Sequence, residues 1–123
     1  MTSIVFLVSS NGGTLKFIDQ YMKFYKLSDF EISAVIADRA CKAIEYAESN
    51  QINHKIISYN KNNRTDLYTA LEILNPDVII TNIFKILDAR LVSRFKHKLI
   101  NFHYSLLPAF KGLIGTSTIQ EAR

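Results

Sequence analysis

Cysteine occurs once in these 123 residues, tryptophan not at all, proline twice and glycine four times. The lone Cys41 excludes an intrachain disulfide and every zinc site built on several cysteines. The three histidines show no metal-ligand spacing, so no metal is expected. No apolar run approaches the ~20 residues a membrane helix needs. Met1-Thr2-Ser3 leads into a strand-like run without the basic segment and cleavage site of a secretory signal, so no membrane partner and a cytoplasmic location are expected. No repeat, low-complexity tract or linker interrupts the chain. Residues 1–123 read as a single domain, large enough to bury roughly two thirds of its unfolded surface.

Strong charge of one sign is also missing. Fifteen Lys and Arg stand against eleven Asp and Glu, a net charge of +4. The basic residues are dispersed, and the densest group, Arg90, Arg94, Lys96, His97 and Lys98, falls at a predicted helix end, where cations oppose the helix dipole. No aromatic interleaving or nucleic-acid motif accompanies it, so no nucleic-acid partner is expected. A small anionic substrate accounts for the basic balance.

What is present is a regular alternation of apolar runs and amphipathic stretches. Ile4–Val8, Phe30–Ala37, Ile56-Ile57, Val78–Ile80 and Leu99–Phe102 read as strands. Leu15, Ile18, Met22 and Tyr25 recur at helical spacing, with Lys16, Asp19, Gln20 and Lys23 between them. Phe17, Tyr21 and Phe24 widen that stripe, which predicts a well-buried helix. Ala40, Ala43, Ile44 and Ala47 make a small-residue helix face. Leu67, Leu71 and Leu74 mark a helix that stops before Pro76. Ala89, Leu91, Val92 and Phe95 mark another, with Asp88 as N-cap, and Thr116–Arg123 opens a fifth. The fold class is α/β, an open, mostly parallel, Rossmann-like sheet with helices on both faces.

The glycines fall in two places, Gly12-Gly13 and Gly112 with Gly115, both in loops after predicted strands. In the first loop, Gly12 and Gly13 let an anion approach the N–H groups at a helix start, and Ser10, Asn11 and Thr14 add side-chain donors. A plain capped turn is the other reading. A dinucleotide fingerprint fails for want of a third glycine, and no Gly-Lys-Ser/Thr follows. Asp38, at a place that would suit a ribose contact, reads as a helix-start or turn residue.

At the end of the fifth strand Asn101 and His103 are two apart and share a face on extended backbone. An amide can donate to a developing oxyanion, and an imidazole can move a proton near neutral pH. Polar pairs at strand ends also serve as caps and turns. Ser105, with no base evident beside it, reads as a loop-orienting residue, and His54 and His97 as surface residues.

Asn101-Phe102-His103-Tyr104-Ser105-Leu106-Leu107-Pro108 closely resembles the Asn-x-His-x-Ser-Leu-Leu-Pro signature of folate-dependent formyltransferases. Phe84-Lys85-Ile86-Leu87, followed by Val92, Ser93 and Phe95, is similar to that family's folate-side segment, and Ser9–Leu15 to its phosphate loop. The resemblance implies the N-terminal fold of that family, cut short at the C-terminus. It implies transfer of a formyl group from 10-formyltetrahydrofolate, the co-substrate, to the amine of a phosphorylated small molecule. Within the family the chain resembles the branch acting on glycinamide ribonucleotide, in purine biosynthesis. Another acceptor, such as an amino sugar nucleotide, and a non-catalytic remnant that binds a phosphorylated ligand remain alternatives.

Carried over residue by residue, the resemblance makes Asn101 and His103 catalytic. It gives Ser10, Asn11, Gly12, Gly13 and Thr14 to the substrate phosphate. Phe84, Lys85, Ile86, Leu87 and Val92 fall to the folate, and Arg64 and Tyr104 become candidate substrate contacts. Tyr104 stands where the family usually has proline, and residues 112–118 lack the histidines common in the ribonucleotide enzymes. The family's catalytic aspartate lies on a segment beyond Arg123, so this chain alone is expected to be poorly active. Nothing in the sequence sets an oligomeric state.

Overall fold

Ile4 to Val8 are apolar at every position because both faces of their strand are covered, each being 7 % exposed or less. The computed structural model describes residues 1–83 and 87–101, Asn101 by its backbone alone. Nine elements alternate in chain order: β1 (Thr2–Val8), α1 (Gly13–Phe24), β2 (Phe30–Ala37), α2 (Lys42–Ser49), β3 (His54–Ile56), α3 (Thr65–Leu74), β4 (Val78–Thr81), α4 (Ala89–Phe95) and β5 (Leu99–Asn101). The predicted helix at Thr116–Arg123 lies outside the described residues.

All neighbouring strands pair in parallel, in the order β3-β2-β1-β4-β5. Strand alternation divides the core in two. On one face Val5, Leu7, Ala34, Ile36 and Ile79 pack with Leu67 and Leu71 of α3 and Leu91 and Phe95 of α4. On the other, Ile4, Phe6, Val8, Val35, Ala37 and Ile80 pack with Leu15 of α1 and Ala43 and Ala47 of α2. The sheet therefore carries helices on both faces, as the alternation of elements predicts. Its strand order reverses between β1 and β4, and in open α/β sheets the crevice outside such a switch point is where ligands bind.

Three local expectations need correction. The aromatic residues of α1 do not deepen its burial: Phe17, Tyr21, Phe24 and Tyr25 are 67, 48, 77 and 57 % exposed. At 100° per residue they fall on the arc facing away from Leu15. Asp19, on the Leu15 side, is buried instead, where it accepts a hydrogen bond from Tyr46 and pairs with Lys23 at 3.0 Å. Ala40 precedes α2, which starts at Lys42 with Cys41 as its N-cap, and is exposed.

The basic group near α4 faces the neighbouring helix. Arg90 lies over the Tyr68 ring at 4.1 Å, and Arg94 lies 3.5 Å from Glu72 and stacks over Phe95. Among the described residues no helix is long and apolar enough to cross a membrane.

Candidate active site

The C-terminal ends of β1, β4 and β5 form one row. Leu7 pairs with Thr81, and Thr81 with Asn101. At a strand spacing of about 4.8 Å, Asn101 therefore starts two strands, or about 10 Å, from β1. The chain leaves β1 directly into the glycine loop, so the loop and the Asn101 backbone share one sheet edge at the switch point. The Asn101 side chain, His103, Tyr104 and Ser105 lie outside the described residues, as do Phe84, Lys85 and Ile86.

The loop is clamped from the α2 side. Ala43 N–H donates to Ser10 O at 3.2 Å, and Lys16 N–H to Gly12 O at 2.9 Å, the first turn of α1. Gly12 is left-handed, with φ 73° and ψ 33°. An added Cβ there would stand 2.7 Å from Ala43 Cβ and 3.0 Å from Ala43 Cα. The small-residue face of α2 is thus what lets the turn lie so close. No side chain caps α1, so its first N–H groups keep the orientation that suits an anion. Asn11 and Gly13 are exposed, Ser10 and Thr14 half-buried.

Beneath the loop, Ser9 Oγ donates to Asp38 Oδ1 at 2.8 Å. Arg39 donates to the same carboxylate through Nε at 3.2 Å and Nη2 at 3.1 Å. Asp38 beside it holds the Arg39 guanidinium above its ordinary pKa. The Asp38 side chain is 0 % exposed, so it cannot reach a ribose. It is a turn residue at the end of β2 that braces the start of the loop, and Cys41 rather than Asp38 begins the helix.

On the other side of the switch point, Asn82 N–H donates to Leu7 O at 2.9 Å. Its Oδ1 is buried and has no hydrogen-bond partner among the described residues. Leu87 packs against the α3/α4 core, and Asp88 stands at the N-cap of α4 as predicted. Its carboxylate accepts from the hydroxyl of Tyr59. That bond, the N–H groups of Leu91 and Asp88, and the Arg64 charge hold Asp88 below the usual carboxylate range, against the opposing effect of burial. Burial, aided by the same carboxylate, pushes Tyr59 up.

The predicted site residues are thus partly gathered. Ser10 to Thr14, the Asn101 backbone and Leu87 lie in segments leaving, or ending on, the C-terminal edge. Arg64 directly precedes α3 and is exposed, and Val92, on α4, is 41 % exposed. A groove of about 400 Å³ beside β3, lined by Lys55, Ile57, Asp66 and Ile73 among others, lies away from the switch point. His54 and His97 are exposed, and among the described residues no three His, Cys, Asp or Glu side chains group as a metal site. Sequence reasoning missed Ser9, Tyr59 and Asn82. Their one signal was position, each lying just past a strand end.

Comparison with known proteins bears on this edge. The sequence profile of the formyl transferase family matches residues 2–122. A formyltetrahydrofolate deformylase of Haemophilus influenzae is 30 % identical over 97 % of this chain and 43 % of its own length. A phosphoribosylglycinamide formyltransferase of Escherichia coli K12 is 30 % identical over 90 % of this chain and 55 % of its own. The crystal structure of phosphoribosylglycinamide formyltransferase from Anaplasma phagocytophilum superposes with a TM-score of 0.75 at 28 % identity, covering 91 % of this chain and 54 % of that one. The chain spans about half the length of these relatives.

Proposed function

The chain belongs to the formyl transferase family, and on that premise we propose that it transfers a formyl group from 10-formyltetrahydrofolate to the amine of a phosphorylated substrate, glycinamide ribonucleotide. The observation that carries the reading is the single sheet edge at the switch point. An anion-binding turn leaves β1 there, and the Asn101-x-His103 pair starts two strands away. A substrate with its phosphate at residues 10–14 would span that distance to bring its amine to Asn101.

The folate, when bound, supplies the formyl carbon. The amine nitrogen attacks that carbon, the bond from carbon to the folate nitrogen breaks, and one proton passes from the amine to the departing nitrogen. Asn101 donates to the oxyanion of the tetrahedral intermediate, and His103 carries the proton. Phe84, Lys85, Ile86, Leu87 and Val92 would hold the folate, and Arg64 and Tyr104 would contact the substrate. The residues present fit such a ligand: the orphaned acceptor Asn82 Oδ1 lies at the head of the folate segment, where a bound N–H would relieve its unpaired burial.

A second reading, hydrolysis of formyl folate with water as acceptor, draws on the similarity to the deformylase. One assay separates the two. The protein as its cell makes it is given 10-formyltetrahydrofolate with and without glycinamide ribonucleotide, and tetrahydrofolate, formate and formylated product are followed. Amine-dependent product, lost about 100-fold or more in Asn101→Ala and likewise in His103→Ala, is the expected result. Formate release without the amine would establish hydrolysis instead, and no turnover of formyl folate would sink both.

A further inference from the structure

We propose that Tyr59 is a positioning residue for the folate side of this site, pinning residues 83–88 to the sheet edge through its hydroxyl. The inference rests on the formyl-transfer reading above. Tyr59 is 2 % exposed and lies three residues beyond β3. Its O–H donates to Asp88 Oδ1, and its oxygen accepts the Asp88 N–H at 2.6 Å. The proton and a lone pair of one hydroxyl are thus both engaged on one residue.

That arrangement is unusual for an aspartate in this position. An N-cap aspartate ordinarily turns its carboxylate onto the N–H groups of the first turn, which stabilises a helix by about 1 kcal/mol. Asp88 has the extended N-cap backbone, φ −73° and ψ 160°, yet makes no side-chain capping bond and directs its carboxylate to Tyr59. The sequence forgoes a cap for a tie between two segments 29 residues apart.

The tie has a matching anchor at the other end. Asn82 N–H reaches Leu7 O at 2.9 Å and Ile83 N–H reaches Thr81 Oγ1 at 3.4 Å. Ile83 and Leu87 also pack against the core cluster that contains Tyr59. Phe84, Lys85 and Ile86, assigned above to the folate, are the residues between the two anchors. Tyr59 also heads the turn Asn60–Asn63, closed by two backbone bonds of 3.1 Å, which leads to Arg64. One hydroxyl therefore sets the folate segment against the loop that carries a substrate cation.

Tyr59→Phe keeps the buried ring and removes only the oxygen. The expected result is a rise of about 3- to 10-fold in the KM for 10-formyltetrahydrofolate, the worth of one hydrogen bond. The kcat and the KM for the amine substrate should stay within about twofold, as expected when only one ligand's binding is weakened. Asp88→Ala should reproduce the change, and Asp88→Asn, which keeps an acceptor, should largely restore the folate KM. An unchanged folate KM, or a parallel rise in both substrate constants, would show a merely structural tyrosine and overturn the proposal. Equilibrium titration with tetrahydrofolate separates the two levels. Wild-type protein that does not bind it refutes the formyl-transfer reading and this inference with it, whereas equal binding by wild type and Tyr59→Phe refutes this inference alone.

Discussion

A side chain at position 12 would have to occupy space that Ala43 already fills, on a backbone that L-residues adopt at a cost of about 1–2 kcal/mol. Gly12→Ala should therefore lower the free energy of unfolding by at least that much in urea titration, and should weaken the binding of inorganic phosphate. Gly13→Ala, on a residue already within α1, should stay within about 1 kcal/mol of wild type. Equal stability of the two variants would mean that the turn relaxes away from α2. Gly12 was legible because glycine pairs after a strand announce a tight turn. The Ser9–Asp38 and Tyr59–Asp88 pairs were not, because each joins residues 29 apart and only the register of the sheet brings them together. Asn101-x-His103 could be read because its logic is local, two residues on one strand face.

At the scale of elements, α1 and α2 are joined by a buried polar contact in an otherwise apolar layer. Burial and the hydrogen bond to Asp19 push Tyr46 up to about 12. Its folded pKa thus exceeds that of an unfolded tyrosine, near 10. The contribution to stability is complete below about pH 10 and is lost as pH rises towards 12. In a spectrophotometric titration of the six tyrosines, Tyr46 should ionise late, and Tyr46→Phe should remove that late step. A titration in which every tyrosine ionises together near pH 10 would show that the α1–α2 contact does not persist. Periodicity alone located the strands and helices to within a few residues, because each carries its own apolar signal. It misjudged the direction of α1. A stripe widened by Phe17, Tyr21 and Phe24 resembles a buried face, while the residue that is buried, Asp19, was masked by its charge.

For the whole molecule, the layer arrangement explains where those aromatic residues point. Lys16, Asp19 and Lys23 face α2, with Lys16 over the Tyr46 ring at 5.9 Å. The aromatic arc of α1 is therefore turned away from α2, and its rings touch one another. Phe17 to Tyr21 is 6.0 Å between centroids, Tyr21 to Tyr25 is 4.6 Å and Phe24 to Tyr25 is 4.9 Å. A contiguous exposed apolar ridge of this kind favours association with other apolar surfaces. Strand order, which no local pattern encodes, decided that α2 lies on the charged side of α1 and leaves the ridge uncovered by any described residue. The chain of residues 1–123 should therefore bind an apolar dye such as anilinonaphthalene sulfonate and sediment faster as its concentration rises. The double substitution Phe17→Lys with Phe24→Lys should reduce both effects while changing stability by no more than about 1 kcal/mol, since both residues are more than half exposed. Dye binding and sedimentation identical in the two proteins would locate the adhesive surface elsewhere. A large loss of stability would instead mean that the ridge is packed in the folded chain.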